Sequence, residues 1–222
     1  MKRALWMLEL LGLLAGCAPS SISSAPAAVP ADVELEKFVA AQVPFDATLL
    51  KLGQWSLYRL KVEGSTQTEI YKWSVVGADA KGVWVENKVP HASTGMIRKS
   101  RYDRTGKLLE AWIGPPGGQP AQVWPKAGAA PPAVRTSAPP AFKEEAEPAS
   151  AGNRVFRCTK VTSEAAYPDG RKVAVVSWFS VELPFAGLAR YGGLVRRTVG
   201  RVTMELMDAG TGIGRPEMEI PK

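Results

Sequence analysis

Hydrophobic and polar residues alternate along two parts of this chain, one before and one after a proline-rich stretch. Tyr71-Lys72-Trp73-Ser74-Val75 shows the period of two that is expected for a strand with one buried face. Turn sequences such as Glu63-Gly64-Ser65 separate the strands, and such short connections indicate an antiparallel meander. The predicted strands are 54–62, 68–76, 82–89, 96–104 and 107–113, followed by 154–161, 172–183, 194–199 and 201–207.

One helix is predicted ahead of the strands, over residues 32–43. Asp32 is a favourable N-cap, Glu34 and Glu36 suit the positive end of the helix dipole, and Pro44 ends the helix. The helix is amphipathic, but its polar side lacks the basic residues typical of helices that lie on membranes. We therefore expect it to pack on the β domain.

The stretch between the two groups of strands, residues 114–152, contains half of the chain's 18 prolines together with many alanines and glycines. This composition predicts a long flexible loop or linker inside a single β domain that spans residues 32–222. Within it, Phe142–Glu147 is a candidate for one helical turn.

The beginning of the chain has the pattern of an export signal. Lys2-Arg3 precedes a short apolar run that closes on Leu14-Ala15-Gly16-Cys17. The run is shorter than the ~20 residues of a membrane-spanning helix. The four-residue motif resembles the lipobox of bacterial lipoproteins, and the alternative is an ordinary secretory signal. The resemblance implies a signal peptide over residues 1–16 and lipidation of Cys17.

The resemblance also implies a location. Ala18 follows the cysteine, and by the family's sorting rule this residue directs the protein to the outer membrane. We expect a lipid-anchored protein whose domain faces the periplasm. Residues 17–31, rich in Ala, Ser and Pro, form the flexible tether that holds the domain off the membrane.

The net charge of +7 suggests an acidic partner or lipid headgroups, and the export signal sets nucleic acid aside. One interpretation of the clustered basic residues is an anion or headgroup patch, and the other is protection of edge strands by charge. The patch would consist of Arg98, Lys99, Arg101, Arg104, Arg196 and Arg197.

Residues suited to catalysis are few. His91 is the single histidine, so a relay or metal site of two histidines is excluded within one chain. Once Cys17 is assigned to lipid, Cys158 has no cysteine to pair with, and its strand-like context favours a buried thiol. We predict no enzyme, no metal site and no cofactor.

Large aromatic residues on the predicted strands offer a binding surface. In a sheet that curls without closing, tryptophans can either form the core or line a groove for acyl chains. The candidate groove residues are Trp73, Trp84, Trp112 and Trp178. The function predicted first is therefore binding of a lipid or acyl chain in the concave face of the sheet. The alternative is a structural or interaction subunit of an envelope protein complex, without a small ligand.

The order of elements also resembles a known family. A helix, a long run of antiparallel strands and a mid-chain insertion are similar to the half-barrel of periplasmic lipoprotein carriers and the outer-membrane lipoprotein receptor. The resemblance implies a mainly β fold with a strongly curved, unclosed antiparallel sheet of about nine strands. Closed barrels, lipocalin-like cups and sandwiches use the same kind of strands and stay open as alternatives.

Overall fold

The computed structural model describes residues 31–41, 45–88, 95–124, 143–166, 170–183, 188, 190–212 and 217. This part of the chain is mainly β, with one α-helix, α1 (Ala31–Ala41), and a short 3-10 turn at Ala47–Leu49. The strands are β1 (Gln54–Val62), β2 (Thr68–Asp79), β3 (Gly82–Lys88), β4 (Ile97–Tyr102), β5 (Leu108–Gly114), β6 (Ala121–Trp124), β7 (Lys143–Ala146), β8 (Ala149–Ala151), β9 (Arg154–Phe156), β10 (Thr159–Ala166), β11 (Lys172–Ser180), β12 (Gly193–Val199) and β13 (Val202–Thr211).

Eleven of these strands form one antiparallel sheet that is not closed. Its order is β6-β5-β4-β3-β2-β1-β13-β12-β11-β10-β7, so β6 and β7 are the two edges. The first six strands form one meander, β10 to β13 form a second, and the pair β1–β13 joins them. Strands β8 and β9 form a separate hairpin.

The predicted antiparallel meander is confirmed, and more strands are present than the nine expected. The difference arises mainly in residues 114–152, where β6, β7 and β8 lie. The helical turn expected at Phe142–Glu147 is wrong, because Lys143–Ala146 is the edge strand β7. Its backbone pairs with β10, and this tertiary pairing outweighs the local preference of a Lys-Glu-Glu-Ala sequence for helix.

The two faces of the sheet are covered differently. One face carries Tyr58 and Tyr71, which are direct cross-strand partners and fully buried. Helix α1, Phe45 and the β8–β9 hairpin belong to the same buried core as these tyrosines, and α1 and the hairpin contact β12 and β13. We call this the inner face and the opposite one the outer face. On the outer face, Arg59 pairs with Glu205 across β1 and β13 at 3.0 Å.

Single contacts fix the elements on the inner face. The Tyr58 hydroxyl donates to the carbonyl of Leu194 at 3.1 Å, which links β1 to β12 across the intervening strand. The ring of Phe45 meets Trp73 edge-on, with centroids 5.4 Å apart. The carboxylate of Glu36 on α1 accepts the backbone N–H of Arg201 at 2.9 Å, in the turn between β12 and β13. The helix predicted over 32–43 is thus present as α1, and residues 42–44 lie outside the described residues.

Candidate functional site: a pocket on the outer face

A pocket of about 290 Å³ opens on the outer face of the first meander. Its floor comes from the neighbouring strands β1 to β4, and its walls include Pro116 of the β5–β6 turn and Glu217. This volume is close to the lower limit of about 300 Å³ for pockets that hold small ligands. The pocket is therefore large enough for one slender molecule.

The floor of the pocket is apolar. Leu57, Ile70 and Ile97 contribute to it from β1, β2 and β4. Strand alternation places Leu57 and Ile70 on the face opposite the buried tyrosines, because Leu57 precedes Tyr58 and Ile70 precedes Tyr71. Ile97 shares the face of Lys99, two residues further along β4, whose cross-strand partner is Glu86. Ile97 is buried, whereas Ile70 is 39% exposed and so is accessible to a ligand.

Charged side chains form the rim. Lys72 pairs with Glu217 at 2.7 Å, and each side chain is 48% exposed. Deeper in the outer face, Lys99 lies 3.5 Å from Glu86, and both side chains are largely buried. Lys88, also at the pocket, is exposed. The pocket thus combines an apolar floor with a cationic rim, which suits a molecule with an apolar chain and an acidic head.

Glu217 is held at the pocket by its backbone as well as by its carboxylate. Its N–H donates to the Glu86 carboxylate at 2.8 Å, and its carbonyl accepts the N–H of Gly117 at 3.4 Å. These contacts tie this residue to β3 and to the β5–β6 turn. One wall of the pocket therefore comes from a residue that is distant in the sequence from the strands of the floor.

The four tryptophans predicted to share a groove lie on two faces. Trp73 is 5% exposed on the inner face, where it is part of the core. Trp84 lies on the outer face, since it is the direct partner of Arg101, and the Arg101 guanidinium lies 5.2 Å from its ring centroid. Trp112 is the partner of Lys99 on the same outer face, and its indole N–H donates to Glu110 at 3.2 Å.

Trp178, the fourth tryptophan, also lies on the outer face but in the second meander. Its ring centroid is 4.8 Å from the Arg196 guanidinium and 5.6 Å from the Lys160 ammonium group. Its indole N–H donates to Glu147 at 3.1 Å. Cations therefore flank Trp178, and the four tryptophans do not converge on one groove.

The basic residues of the first predicted patch are also divided. Arg98 is on the inner face, where its Nε donates to the Ser100 hydroxyl at 3.2 Å. Arg101 is on the outer face, where it bonds Asp79 and Glu110. The hydrogen bond with Asp79 raises the pKa of the Arg101 guanidinium. Lys99 pairs with Glu86, and Arg104 is exposed in the β4–β5 turn.

Arg196 and Arg197, adjacent on β12, point to opposite faces. Arg196 stacks on Trp178, whereas Arg197 is buried on the inner face opposite Met204 and Ser177. Burial lowers the pKa of Arg197 to about 10, because the charged guanidinium loses its hydration. The six basic residues therefore do not form one patch.

Three predictions concern single residues. Cys17 and His91 lie outside the described residues, as do the signal peptide over 1–16 and the tether apart from Ala31. Cys158 is a buried free thiol whose Sγ lies 3.6 Å from the Phe156 carbonyl, and burial raises the pKa of the thiol.

Among the residues that the structure describes, no group of three His, Cys, Asp or Glu side chains is placed to hold a metal ion.

The pocket itself is absent from the sequence-based predictions. Alternation alone places Ile70 and Lys72 on the face opposite Trp73, so part of the pocket is visible in the sequence. The return of Glu217 to Lys72, 145 residues away, leaves no sequence signal. The pocket became recognisable only through this long-range contact.

Comparison with known proteins finds no matching family model and no curated protein with significant similarity to this chain. Within the described ranges, no helix has the length and apolar composition needed to cross a lipid bilayer.

Proposed function

We propose that this chain is a non-catalytic, lipid-anchored envelope protein that binds a lipid or acyl chain in the outer-face pocket. The observation that carries the proposal is the combination of an apolar floor at Leu57, Ile70 and Ile97 with a rim at Lys72 and Lys88. Apolar side chains provide most of the favourable free energy for an acyl chain, and a few polar groups orient its head.

The sequence supports a location at the membrane. Leu14-Ala15-Gly16-Cys17 supports acylation at Cys17 and anchoring in the outer membrane, with the domain in the periplasm. Residues 17–31 would act as a tether. A protein held beside a membrane in this way meets acyl chains at high local concentration, which suits a binding role.

We further propose that the open sheet is a strongly curved half-barrel with α1 on its concave side. Phe45 supports this, because it reaches both Trp73 on β2 and Tyr102 on β4 from the inner face. The inner face was the expected place for a ligand. In the described residues, however, Tyr58, Tyr71 and Trp73 pack there against the core, so we place the ligand on the opposite face.

The test uses Ile70, which is exposed in the pocket, and Val155, which is 70% exposed on β9 away from it. Ile70→Glu removes an apolar contact worth about 1.5 kcal/mol, so affinity for a fluorescent acyl probe should fall roughly tenfold. Val155→Glu adds the same charge at an exposed site on β9, outside the pocket, and should leave affinity unchanged. Equal loss in both variants, or in neither, would refute the pocket as the binding site.

A second function, as an interaction subunit, is favoured by a row of side chains across the second half of the outer face. Cross-strand partners place these residues in one line over six strands: Glu145, Lys160, Trp178, Arg196, Glu205 and Arg59. Trp and Arg are enriched in protein interfaces, and here the Arg196 guanidinium lies 4.8 Å from the Trp178 ring centroid. If this function is correct, a stoichiometric envelope partner will be lost with Arg196→Glu and retained with Ile70→Glu. A partner retained by both variants would contradict it.

A further inference from the structure

Glu217 places a carboxylate of the protein itself at the mouth of the pocket. The carboxylate is 2.7 Å from the Lys72 ammonium group, while the backbone of Glu217 is bound separately to Glu86 and Gly117. The side chain can therefore leave Lys72 without releasing the backbone of this residue from the pocket wall.

Two ion pairs balance most of the charge around the pocket. Glu86 and Lys99 form a largely buried pair at 3.5 Å, so each offsets the charge of the other. Glu217 offsets Lys72, and Lys88 forms no ion pair within the part of the chain that the structure describes. If the Glu217 side chain swings away, the Lys72 ammonium group loses the carboxylate with which it pairs and becomes available to a ligand.

The pair of Glu217 and Lys72 is suited to exchange. Both side chains are half exposed, and an exposed ion pair is screened by solvent and contributes little net stability. A ligand that also fills the apolar floor gains the burial of its chain in addition to the same ion pair. Such a ligand can displace the internal carboxylate, whereas a small anion without a chain has no such advantage.

We infer that the Glu217 carboxylate occupies the position of the ligand's head group, and that the ligand is a single-chain amphiphile with a carboxylate head. The inference rests on the proposed function of the pocket. A single chain is favoured because the volume of about 290 Å³ is near the lower limit for ligand pockets. A carboxylate is favoured because Lys72 already binds one at 2.7 Å. Glu217 then acts as a built-in competitor that weakens binding of the acid.

The experiment compares three probes of equal chain length: dodecanoate, dodecyl phosphate and dodecanol. Their affinities are measured by calorimetry, below the critical micelle concentration, for the full chain carrying Cys17→Ser to prevent acylation. The variants are Glu217→Gln, which keeps the backbone contacts, and Lys72→Gln. The control is Glu164→Gln, which breaks another exposed ion pair, with Lys172 at 3.0 Å, on strands outside the pocket.

Glu217→Gln should strengthen dodecanoate binding about two- to fivefold, the range expected from one exposed ion pair, and leave dodecanol binding unchanged. Lys72→Gln should weaken dodecanoate binding, and Glu164→Gln should change neither. Equal effects of Glu217→Gln on acid and alcohol, or no effect on either, would overturn the inference while leaving the pocket as a binding site. A preference for dodecyl phosphate over dodecanoate would overturn the choice of a carboxylate.

Failure of the proposed function gives a different result. In that case none of the three probes binds the parent chain or Glu217→Gln, although thermal unfolding shows both to be folded. That result overturns the inference as well.

Discussion

A substitution in the turn between β12 and β13 tests whether α1 is docked on the inner face. The placement of the ligand on the outer face depends on this docking. Gly200 in this turn has φ of +52°, in the left-handed region that L-residues with a side chain avoid. A Cβ added at Gly200 would lie 2.3 Å from the Glu36 carboxylate oxygen of α1. Gly200→Ala therefore meets both backbone strain and a clash with the helix.

The two costs can be separated by a double-mutant cycle. Backbone strain alone costs about 1–2 kcal/mol. Pushing Glu36 away also breaks its hydrogen bond with the Arg201 N–H, which costs a further ~1–3 kcal/mol. Gly200→Ala should therefore cost about 2–5 kcal/mol in the parent chain, but only about 1–2 kcal/mol in a Glu36→Ala background.

The assay is urea unfolding followed by circular dichroism, with the free energy of unfolding measured for the parent, both single variants and the double variant. A coupling free energy of about 1 kcal/mol or more confirms that the helix lies against the turn. If the losses in the two single variants add up to that of the double variant within about 0.3–0.5 kcal/mol, the docking of α1 is refuted. The inner face would then again be a candidate for the ligand site.

Three further predictions concern groups outside the pocket. Tyr58→Phe removes one buried hydrogen bond between β1 and β12 and should lower the free energy of unfolding by about 1 kcal/mol, and an unchanged urea midpoint would speak against that bond. Cys158 is buried with a raised pKa, so the folded chain carrying Cys17→Ser should react with a thiol reagent only as fast as it unfolds, and rapid stoichiometric labelling would contradict the burial of Cys158. The hydrogen bond from Lys160, followed by that from Trp178, lowers the pKa of Glu147. Because this pKa is lower in the folded chain, the ionised Glu147 carboxylate stabilises the fold. This stabilisation is fully present above the ordinary pKa of Glu and is lost as the pH falls through the pKa of the folded chain. Trp178 emission should change over that acidic range in the parent and not in Glu147→Gln, and identical titrations would exclude the contact.

Much of the strand pattern could be predicted from the sequence, because alternation and turn residues act locally. Strand β1 has the predicted bounds, and the strong turn at Glu63-Gly64-Ser65 separates it from β2. Strand β7 could not be predicted, because its Lys-Glu-Glu-Ala sequence forms a strand only through pairing with β10. Local preference is a weak guide wherever a distant partner supplies the hydrogen bonds.

The faces of the tryptophans show a second limit. The face of Trp84 relative to Trp73 depends on the register of β2 and β3, which shifts between Val75 and Gly77. A shift of one residue moves every side chain beyond it to the other face. Alternation within one strand can be read from the sequence. Which residues of two neighbouring strands share a face, however, depends on bulges, and these leave only weak signals in the sequence.

The pairing of β1 with β13 has a consequence for the time course of folding. Paired strands within each meander are also neighbours in the sequence, so their pairing closes only short segments of chain. Tyr58 and Leu206, partners in the joining ladder, are 148 residues apart (206 − 58), and closing so long a segment is entropically costly and slow. We expect each meander to acquire protected amides early in refolding and the β1–β13 amides to become protected last. Pulse-labelled hydrogen exchange would measure this order, and early protection of the β1–β13 ladder would contradict it. Until that final ladder forms, two exposed strand edges persist on every refolding chain, and this is the stage at which aggregation competes with folding.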